Sequence, residues 1–333
     1  MRDPLTSLLA EKGVLLADGA TGTNLFAVGL ESGEAPELWN ESEPGKVLAL
    51  HRGFIESGAD IILTNSFGGT RHRLKLHNAQ DRVHDLNRRA ARLARQAADE
   101  SGRRIIVAGS VGPTGELLAP LGALSHEEAV DAFAEQMEGL KEGGAEIAWI
   151  ETMSSPDEMR AAAEAAIRIS LPYVLTASFD TAGRTMMGLR PRDMHGVTEG
   201  LTPPAAVGAN CGVGASDILA SLLDMSEARP DATIVVKGNC GLPEFRGSEI
   251  HYSGTPELMA DYARLAVDAG ARIVGGCCGT SFTHLAAMRA ALDTHVRRER
   301  PTLEAIAART GPLRNKTADE SGGMRRKRRR PKG

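Results

Sequence analysis

The sequence lacks the features that would place this chain in a membrane. Its 333 residues contain no apolar stretch long enough to span a bilayer, and the first residues, MRDPL, show no signal-peptide core. Aromatic side chains are scarce at 4%, whereas glycine is abundant with 37 residues. We therefore expect a soluble protein in which small side chains do much of the packing.

Cysteine is also rare, with four residues in the whole chain. Two of them, Cys277 and Cys278, are neighbours and would form only a strained disulfide, so we do not expect a disulfide framework. Free thiols are typical of proteins in a reducing compartment. The composition therefore predicts a cytoplasmic protein.

Charge is distributed unevenly along the chain. The formal net charge is −4, although residues 325–330 are all basic, so the rest of the chain is acidic and offers no basic surface for nucleic acid. We expect residues 301–333 to form one short helix followed by a disordered basic tail. Such tails are usually solvated; binding of RNA or of an acidic partner is the alternative.

Short apolar runs alternate with helical patterns along the chain. Continuous apolar strands separated by helices indicate a parallel sheet covered by helices. Eight such units favour a single α/β domain, a (β/α)8 TIM barrel over residues 1–300, rather than an open sheet. The predicted strands cover residues 14–20, 60–67, 104–111, 146–152, 173–179, 206–211, 233–239 and 272–277. The predicted helices between them cover residues 45–57, 81–100, 125–143, 156–169, 215–228 and 255–269.

Polar residues cluster where these strands end, and in a barrel that face carries the active site. Cys211 follows one strand, and Cys277 and Cys278 follow another. If the two strand ends converge, three thiolates form a zinc site with one open position, which is typical of catalytic zinc. Neighbouring residues of a strand point to opposite faces, so the strand must end or bulge at Cys277. The adjacent glycines permit this.

Seven motifs together carry a family resemblance. They are DGATGT (18–23), TNSFG (64–68), GSVGP (109–113), IET (150–152), GANC (208–211), GNCGLP (238–243) and GGCCGT (275–280). In this order they resemble the homocysteine S-methyltransferase family. That family includes betaine-dependent and S-methylmethionine-dependent enzymes and the homocysteine-binding module of cobalamin-dependent methionine synthase. The likeness covers residues 10–295.

The resemblance implies a methyltransferase with a (β/α)8 fold that binds zinc through Cys211, Cys277 and Cys278. The metal would hold homocysteine as a thiolate, which attacks an activated methyl group and forms methionine. Glu151 is the expected partner of the homocysteine ammonium group. The other expected substrate contacts are Asp18, Gly19, Ala20, Thr21, Thr64, Asn65, Ser110 and Asn239.

Several of these residues have alternative roles. Asp18 is a second candidate for the ammonium group, or a cap for the turn at Gly19. Asn239 is a candidate to cap the zinc with its amide oxygen or to orient the substrate, or else a turn residue. Cys240 is expected to pack in the core rather than to act as a fourth ligand. Backbone N–H groups of residues 20–23 are expected to hold the substrate carboxylate.

The methyl donor divides the family. Betaine enzymes of animals place tyrosines where this chain has Gly68 and Thr152, so their aromatic cage for quaternary ammonium is absent or rebuilt, with Trp39 as one possible wall. Both positions are more similar to the methionine synthase module. We therefore expect methylcobalamin on a partner corrinoid protein as donor, ahead of betaine or S-methylmethionine.

Two other classes of function compete with this interpretation. One is a non-enzymatic zinc-binding or RNA-binding protein that uses the basic tail. The other is catalysis by a cysteine nucleophile, which requires a histidine partner. No histidine lies in a strand-end motif, and we expect the histidines of the helical and loop segments, including His51, to lie on the surface.

Overall fold

Eight parallel strands form the centre of the molecule. The computed structural model describes residues 3–241, 243–246 and 249–315, and the following bounds refer to these. The barrel strands are β1 (Leu15–Leu16), β2 (Ile61–Leu63), β3 (Ile106–Val111), β4 (Ile147–Met153), β5 (Tyr173–Ala177), β6 (Ala206–Cys211) and β7 (Ile234–Gly238). A hairpin, β8 (Pro243–Arg246) with β9 (Glu249–Tyr252), precedes the last barrel strand, β10 (Ile273–Gly276). All eight predicted strands are confirmed.

The sheet closes into a barrel rather than remaining open. Its order is β1-β10-β7-β6-β5-β4-β3-β2, with parallel pairing throughout. A parallel bridge between Ala17 and Ile61 joins the two ends of this order. Two backbone hydrogen bonds reinforce the seam, from Asp18 N to Ile61 O at 3.0 Å and from Asp60 N to Leu16 O at 2.7 Å. The predicted (β/α)8 fold is therefore confirmed.

Helices cover the outside of the barrel. They are α1 (Pro4–Lys12), α2 (Thr21–Phe26), α3 (Trp39–Ser42), α4 (Pro44–Glu56), α5 (Arg71–Leu74), α6 (Val83–Glu100), α7 (His126–Glu142), α8 (Pro156–Arg168), α9 (Ala215–Ala228), α10 (Pro256–Asp268), α11 (Phe282–Asp293) and α12 (Leu303–Thr310). The six predicted crossover helices correspond to α4 and to α6 through α10. Between β5 and β6 the connection contains a 3-10 helix, Pro191–Gly196, in place of an α-helix.

Alternation along each strand separates two apolar layers. Inward residues such as Ile61, Ile106 and Trp149 form one cluster, which Leu5 and Leu8 of α1 close at the N-terminal end of the barrel. Outward residues pack against the helices in a second, larger cluster. In α6 and α8 most of the buried positions are alanine, which allows close approach to the sheet. A low content of aromatic residues is therefore compatible with this close packing of helices on the sheet.

One buried carboxylate holds the seam between β1 and β2. Asp60 is 1% exposed, and its side chain accepts the Leu16 N–H at 2.9 Å. Lys12 of α1 binds the same carboxylate at 2.6 Å, and Arg289 of α11 lies 3.3 Å from it. Asp60 therefore ties the first strand to the second at the end of the barrel that faces away from the predicted site.

Two predictions concern the chain as a whole: the disordered tail and the absence of a membrane span. The predicted disorder of the basic tail concerns residues that lie mostly beyond residue 315, outside the described part of the chain. Among the described residues, no helix has both the length and the apolar character needed to cross a bilayer.

The prediction that His51 lies on the surface is wrong. This residue of α4 is 1% exposed, and neither ring nitrogen has a hydrogen-bond partner among the described residues. Burial lowers the pKa of His51 from 6.5 to about 4, because the cationic ring would lose its hydration. Helical periodicity places position 51 one turn after Val47, on the face that packs against the barrel.

The neutral His51 makes stability depend on pH. Below pH 6.5 the unfolded chain takes up a proton that the folded chain takes up only near pH 4, so acid favours unfolding in this window. We expect wild type to lose up to about 3 kcal/mol of unfolding free energy there, and His51→Leu to lose correspondingly less. Chemical denaturation at pH 7 and pH 4.5 measures both. The exposed His126→Leu serves as control, and an equal loss in all three proteins would contradict the assignment.

Candidate metal and substrate site

Three cysteine sulfurs meet at the C-terminal ends of β6 and β10. Cys211 is the last residue of β6, and Cys277 and Cys278 directly follow β10. The Cys211 sulfur lies 2.9 Å from that of Cys277 and 3.9 Å from that of Cys278. All three sulfurs lie within 4.8 Å of one another. The predicted convergence of the two strand ends is therefore confirmed.

Backbone geometry explains how two adjacent cysteines reach one point. Strand β10 ends at Gly276, and Cys277 N donates to Gly238 O at 2.7 Å as the last contact with β7. Thr280 N then donates to Cys277 O at 3.1 Å, so a turn begins where the strand stops. Cys211 has a φ of +59°, an uncommon left-handed conformation for a non-glycine residue. Each strand is thus redirected at its cysteine.

Two asparagines hold the cysteine-bearing loops in place. Asn210 Oδ1 accepts hydrogen bonds from Thr152 N at 2.8 Å and Thr176 Oγ1 at 2.7 Å. Asn239 Oδ1 accepts from Cys278 N at 3.1 Å, while its Nδ2 donates to Gly212 O at 2.7 Å. The amide oxygen of Asn239 is therefore engaged with the backbone, and the residue links both cysteine loops.

The three thiols fit a thiophilic metal ion. Hydrogen bonds from Cys211 and Cys277 lower the pKa of Cys278 to about 3, whereas hydrogen bonding to Cys277 raises the pKa of Cys211. Three sulfurs this close cannot all lose their protons without a cation between them, because the thiolates repel one another. Soft thiolate sets select metals such as zinc. The cluster could therefore hold a metal ion.

Cys240 does not belong to this cluster. Its side chain is fully buried within the outer apolar layer, and burial raises its thiol pKa to about 12. Only its backbone touches the site, where Cys240 N donates to Cys278 O at 2.9 Å. The location is that of a packing residue, as expected from the sequence.

The two predicted carboxylates have unequal surroundings. Asp18 is 1% exposed, and its oxygens accept from Leu63 N and from Lys237 Nζ, each at 2.7 Å. Glu151 accepts from Ser110 Oγ at 2.5 Å. Burial raises the pKa of Glu151 to about 7, and the positive charge of Lys237 opposes that rise. Asp18 is thus committed to protein partners, whereas Glu151 has remaining acceptor capacity.

The remaining predicted polar residues are partly engaged by the fold. Thr64 Oγ1 accepts from Ser110 N at 3.0 Å and contacts Ser66 Oγ at 2.6 Å. Asn65 Nδ2 donates to Pro36 O at 2.7 Å, which directs this amide toward the segment before α3. Their hydroxyl and amide groups therefore shape the wall of the site.

The glycine-rich segment after β1 lies tightly against the loop that carries Cys277 and Cys278. A Cβ at Gly19 would lie 2.6 Å from Thr280 O, so only glycine fits there. Ala20 N donates to Thr280 O at 3.1 Å and is therefore not free to bind a carboxylate. Thr21 begins helix α2, and the first N–H groups of a helix have no partner within the helix.

A cavity of about 930 Å³ joins these groups. The predicted site residues that line it are Gly19, Ala20, Thr21, Thr64, Asn65, Ser110, Glu151, Cys211, Cys277 and Cys278. Asp18 and Asn239 are not part of the lining, but each forms a hydrogen bond with a lining residue, Lys237 and Cys278 respectively. Trp39 is also not part of the lining: it is buried, and Lys46 Nζ lies 4.5 Å from its ring centroid. Trp39 is therefore a packing residue and not a cage wall.

Two residues of the cavity were missed by the sequence analysis. Lys237 lies in an apolar strand. Only its position two residues after the inward-facing Val235 indicates that its side chain enters the barrel, because residues two apart in a strand share a face. Tyr252, at the end of the hairpin, lines the cavity and packs against Gly279, next to Cys278. No sequence pattern available here marks that contact, since it depends on how the hairpin folds back.

Comparisons with known proteins agree with this site. Residues 15–292 match the family model described as homocysteine S-methyltransferase. The chain is 30% identical over 316 residues to the methionine synthase of Mycobacterium tuberculosis, and 29% identical over 306 residues to that of Mycobacterium leprae. These matches cover 89% and 86% of this chain but only 26% and 25% of the relatives, so the chain spans about a quarter of their length.

A solved structure shows the same architecture. The homocysteine methyltransferase MmuM from Escherichia coli, in its metallated form, is 27% identical to this chain, with a TM-score of 0.69. The alignment covers 86% of this chain and 99% of that one. With the family model matching nearly the whole barrel, the chain belongs to the homocysteine S-methyltransferase family.

Proposed function

We propose that this protein methylates the sulfur of homocysteine, with zinc bound by Cys211, Cys277 and Cys278, and so forms methionine. The observation that carries the proposal is the meeting of three sulfurs at the wall of an open cavity. Zinc bound by these three thiolates would lower the pKa of a fourth sulfur ligand, so that the homocysteine thiol would be deprotonated at neutral pH. The homocysteine sulfur then forms a bond to the methyl carbon while the donor leaves with the electron pair of the broken bond.

The rest of the cavity suits the amino-acid end of homocysteine. Glu151 receives the ammonium group, since it is the carboxylate of the lining near the cysteines and keeps acceptor capacity. The carboxylate of the substrate lies toward the first turn of α2, where N–H groups at Thr21 to Thr23 lack helix partners. Asn239 keeps Cys278 oriented by accepting its backbone N–H, and Tyr252 packs beside it against Gly279.

The donor that we propose is methylcobalamin carried by a partner corrinoid protein. The chain resembles methionine synthases over about a quarter of their length. Large apolar side chains are exposed on segments that follow β1, β2, β3 and β5: Phe26, Phe67, Leu76, Leu117, Leu121, Met186 and Met187. Three of them, Phe26, Phe67 and Leu76, line the cavity. Exposed apolar residues in such a group are typical of a protein interface.

The position of Gly68 argues against the cage of animal betaine enzymes. The Glu37 carboxylate accepts the Gly68 N–H at 2.6 Å, and a Cβ at Gly68 would lie 3.0 Å from the same oxygen. A tyrosine there would displace Glu37. Phe26, Phe67 and Tyr252 do line the cavity, and they are the specific feature that supports a second candidate, a quaternary ammonium or sulfonium donor acting without a partner.

The donor assay separates these two functions. Zinc-loaded protein is mixed with homocysteine and, in turn, with methylcobalamin, betaine and S-methylmethionine, and methionine is measured. We expect turnover with methylcobalamin only. Turnover with betaine or S-methylmethionine would establish the second candidate, and then Phe67→Ala should raise KM for that donor. Absence of methionine with every donor, including methylcobalamin at high concentration, would contradict the proposal.

Replacing the sulfur ligands tests the metal site. Cys211→Ala and Cys278→Ala should each lose the bound zinc and all turnover, because two thiolates leave the site incomplete. Cys240→Ala is the matched control, since it also removes a buried sulfur and should keep zinc and activity. Metal analysis of the purified proteins measures the zinc content directly. Zinc binding that is equal in all four proteins would sink the assignment.

Replacing the carboxylate tests how the ammonium group is bound. Glu151→Gln should raise the homocysteine KM by roughly ten- to hundred-fold, because a charge-assisted hydrogen bond is lost. The ratio of variant to wild-type KM should grow as pH rises from 6 to 8, since Glu151, with a pKa of about 7, loses its proton in this range. Steady-state kinetics across pH measure this ratio. A ratio that stays flat would mean that Glu151 does not bind the ammonium as a carboxylate.

A further inference from the structure

Lys237 is a buried cation inside the barrel, and no step of the proposed reaction involves it. It lies on β7, is 2% exposed, and places its ammonium group 2.7 Å from Asp18 Oδ1. The ring centroid of the buried Trp149 lies 5.9 Å from the same nitrogen. A charged lysine taken out of water is costly unless a partner compensates it. Its presence beside the cavity therefore calls for a role that a neutral residue would not fill.

The path of this side chain depends on a glycine of the cysteine motif. In the sheet, Gly275 of β10 is the register partner of Lys237 and lies between β7 and β1. A Cβ at Gly275 would lie 3.0 Å from both Lys237 Cγ and Ala17 Cβ. The bare backbone of Gly275 thus leaves room for the lysine stem to cross β10 and reach Asp18 on the far side.

The ion pair between Lys237 and Asp18 compensates the charge of one buried carboxylate, Asp18, more than that of the other, Glu151. Asp18 and Glu151 face the same region of the barrel, and each raises the free energy of the other's charged form. Lys237 binds Asp18 directly and attracts both carboxylates as well as the Cys277 sulfur. With Lys237 present, Asp18 is neutralised within the protein, and one uncompensated carboxylate remains for a cationic ligand.

We propose that Lys237 is a positioning residue for homocysteine: by holding and neutralising Asp18, it leaves Glu151 as the charged acceptor of the substrate's ammonium group. The inference rests on the proposed function and deepens it. It assigns the selection of an amino-acid thiol, as opposed to a plain thiol acid, to a residue that acts through Asp18 and not by binding the ammonium group itself.

The experiment measures homocysteine binding by calorimetry to zinc-loaded wild type and Lys237→Met. We expect binding to the variant to be weaker by about ten-fold or more, which corresponds to about 1.4 kcal/mol. The second ligand is 4-mercaptobutyrate, which is homocysteine without its amino group. Its affinity should be nearly equal for both proteins, since it brings no ammonium group to Glu151. A defect of folding would weaken both ligands alike.

Two further variants test the route through Asp18. Asp18→Asn combined with Lys237→Met removes the unpaired carboxylate, so the double variant should bind homocysteine more tightly than Lys237→Met alone. Lys12→Met is the matched control: it removes the lysine of another lysine–aspartate pair, Lys12 with Asp60, at the opposite end of the barrel. This control should keep wild-type affinity for both ligands.

The possible results separate the two levels of the proposal. If wild type binds no homocysteine, the proposed function fails and this inference with it. If wild type binds homocysteine but Lys237→Met binds it equally well, only the role of Lys237 fails. Equal weakening of homocysteine and 4-mercaptobutyrate, or no recovery in the double variant, would also overturn it. Selective weakening with recovery supports it.

Discussion

Mutual repulsion between three closely spaced sulfurs is the constraint that the rest of the site has to satisfy. Cys211, Cys277 and Cys278 lie within 4.8 Å of one another, a spacing at which only a cation allows full deprotonation. To hold the sulfurs there, two strands must end at the same level of the barrel, and the backbone must change direction at each end. Strand closure, the turn after Gly276 and the left-handed backbone of Cys211 all contribute to this. The barrel is the scaffold that makes such convergence possible at low cost, because it brings the carboxyl ends of all strands to one face.

Charge is organised around the same point. A triply thiolate-bound dication carries a net negative charge, and two buried carboxylates lie nearby. Lys237 is the cation among the inward-facing strand residues described here, and it pairs with Asp18 rather than with Glu151. In the proposed function, Glu151 thereby remains as the carboxylate for a substrate that brings its own ammonium group. Such a pocket selects its ligand by complementary charge as much as by complementary shape.

Small residues connect packing to chemistry. Gly19 allows the segment after β1 to contact Thr280 O, and Gly275 leaves room for the Lys237 side chain. Gly68 has no side chain to displace the Glu37 carboxylate, to which its backbone N–H donates a hydrogen bond. Outside the barrel, alanine-rich faces of α6 and α8 play the corresponding role for helix packing. The shortage of aromatic residues is thus consistent with a barrel whose layers approach closely, and it leaves the few aromatic side chains at the cavity, Phe26, Phe67 and Tyr252, conspicuous.

Local sequence determined the strands, most of the helices and the identity of the sulfur cluster, because period, caps and strand-end position are properties of neighbouring residues. The sequence also indicated that Glu151 lies near a strand end and that Cys240 packs in the core, and the periodicity of α4 accounts for the burial of His51. Tertiary structure alone decided that Trp39 is packed away from the cavity and that Asp18 is already paired. It also brought Lys237 and Tyr252 to the site. These facts depend on contacts between residues far apart in the chain, such as Lys237 with Asp18, 219 positions away. No local pattern encodes which distant side chain will compensate a buried charge, since that follows from barrel closure and register.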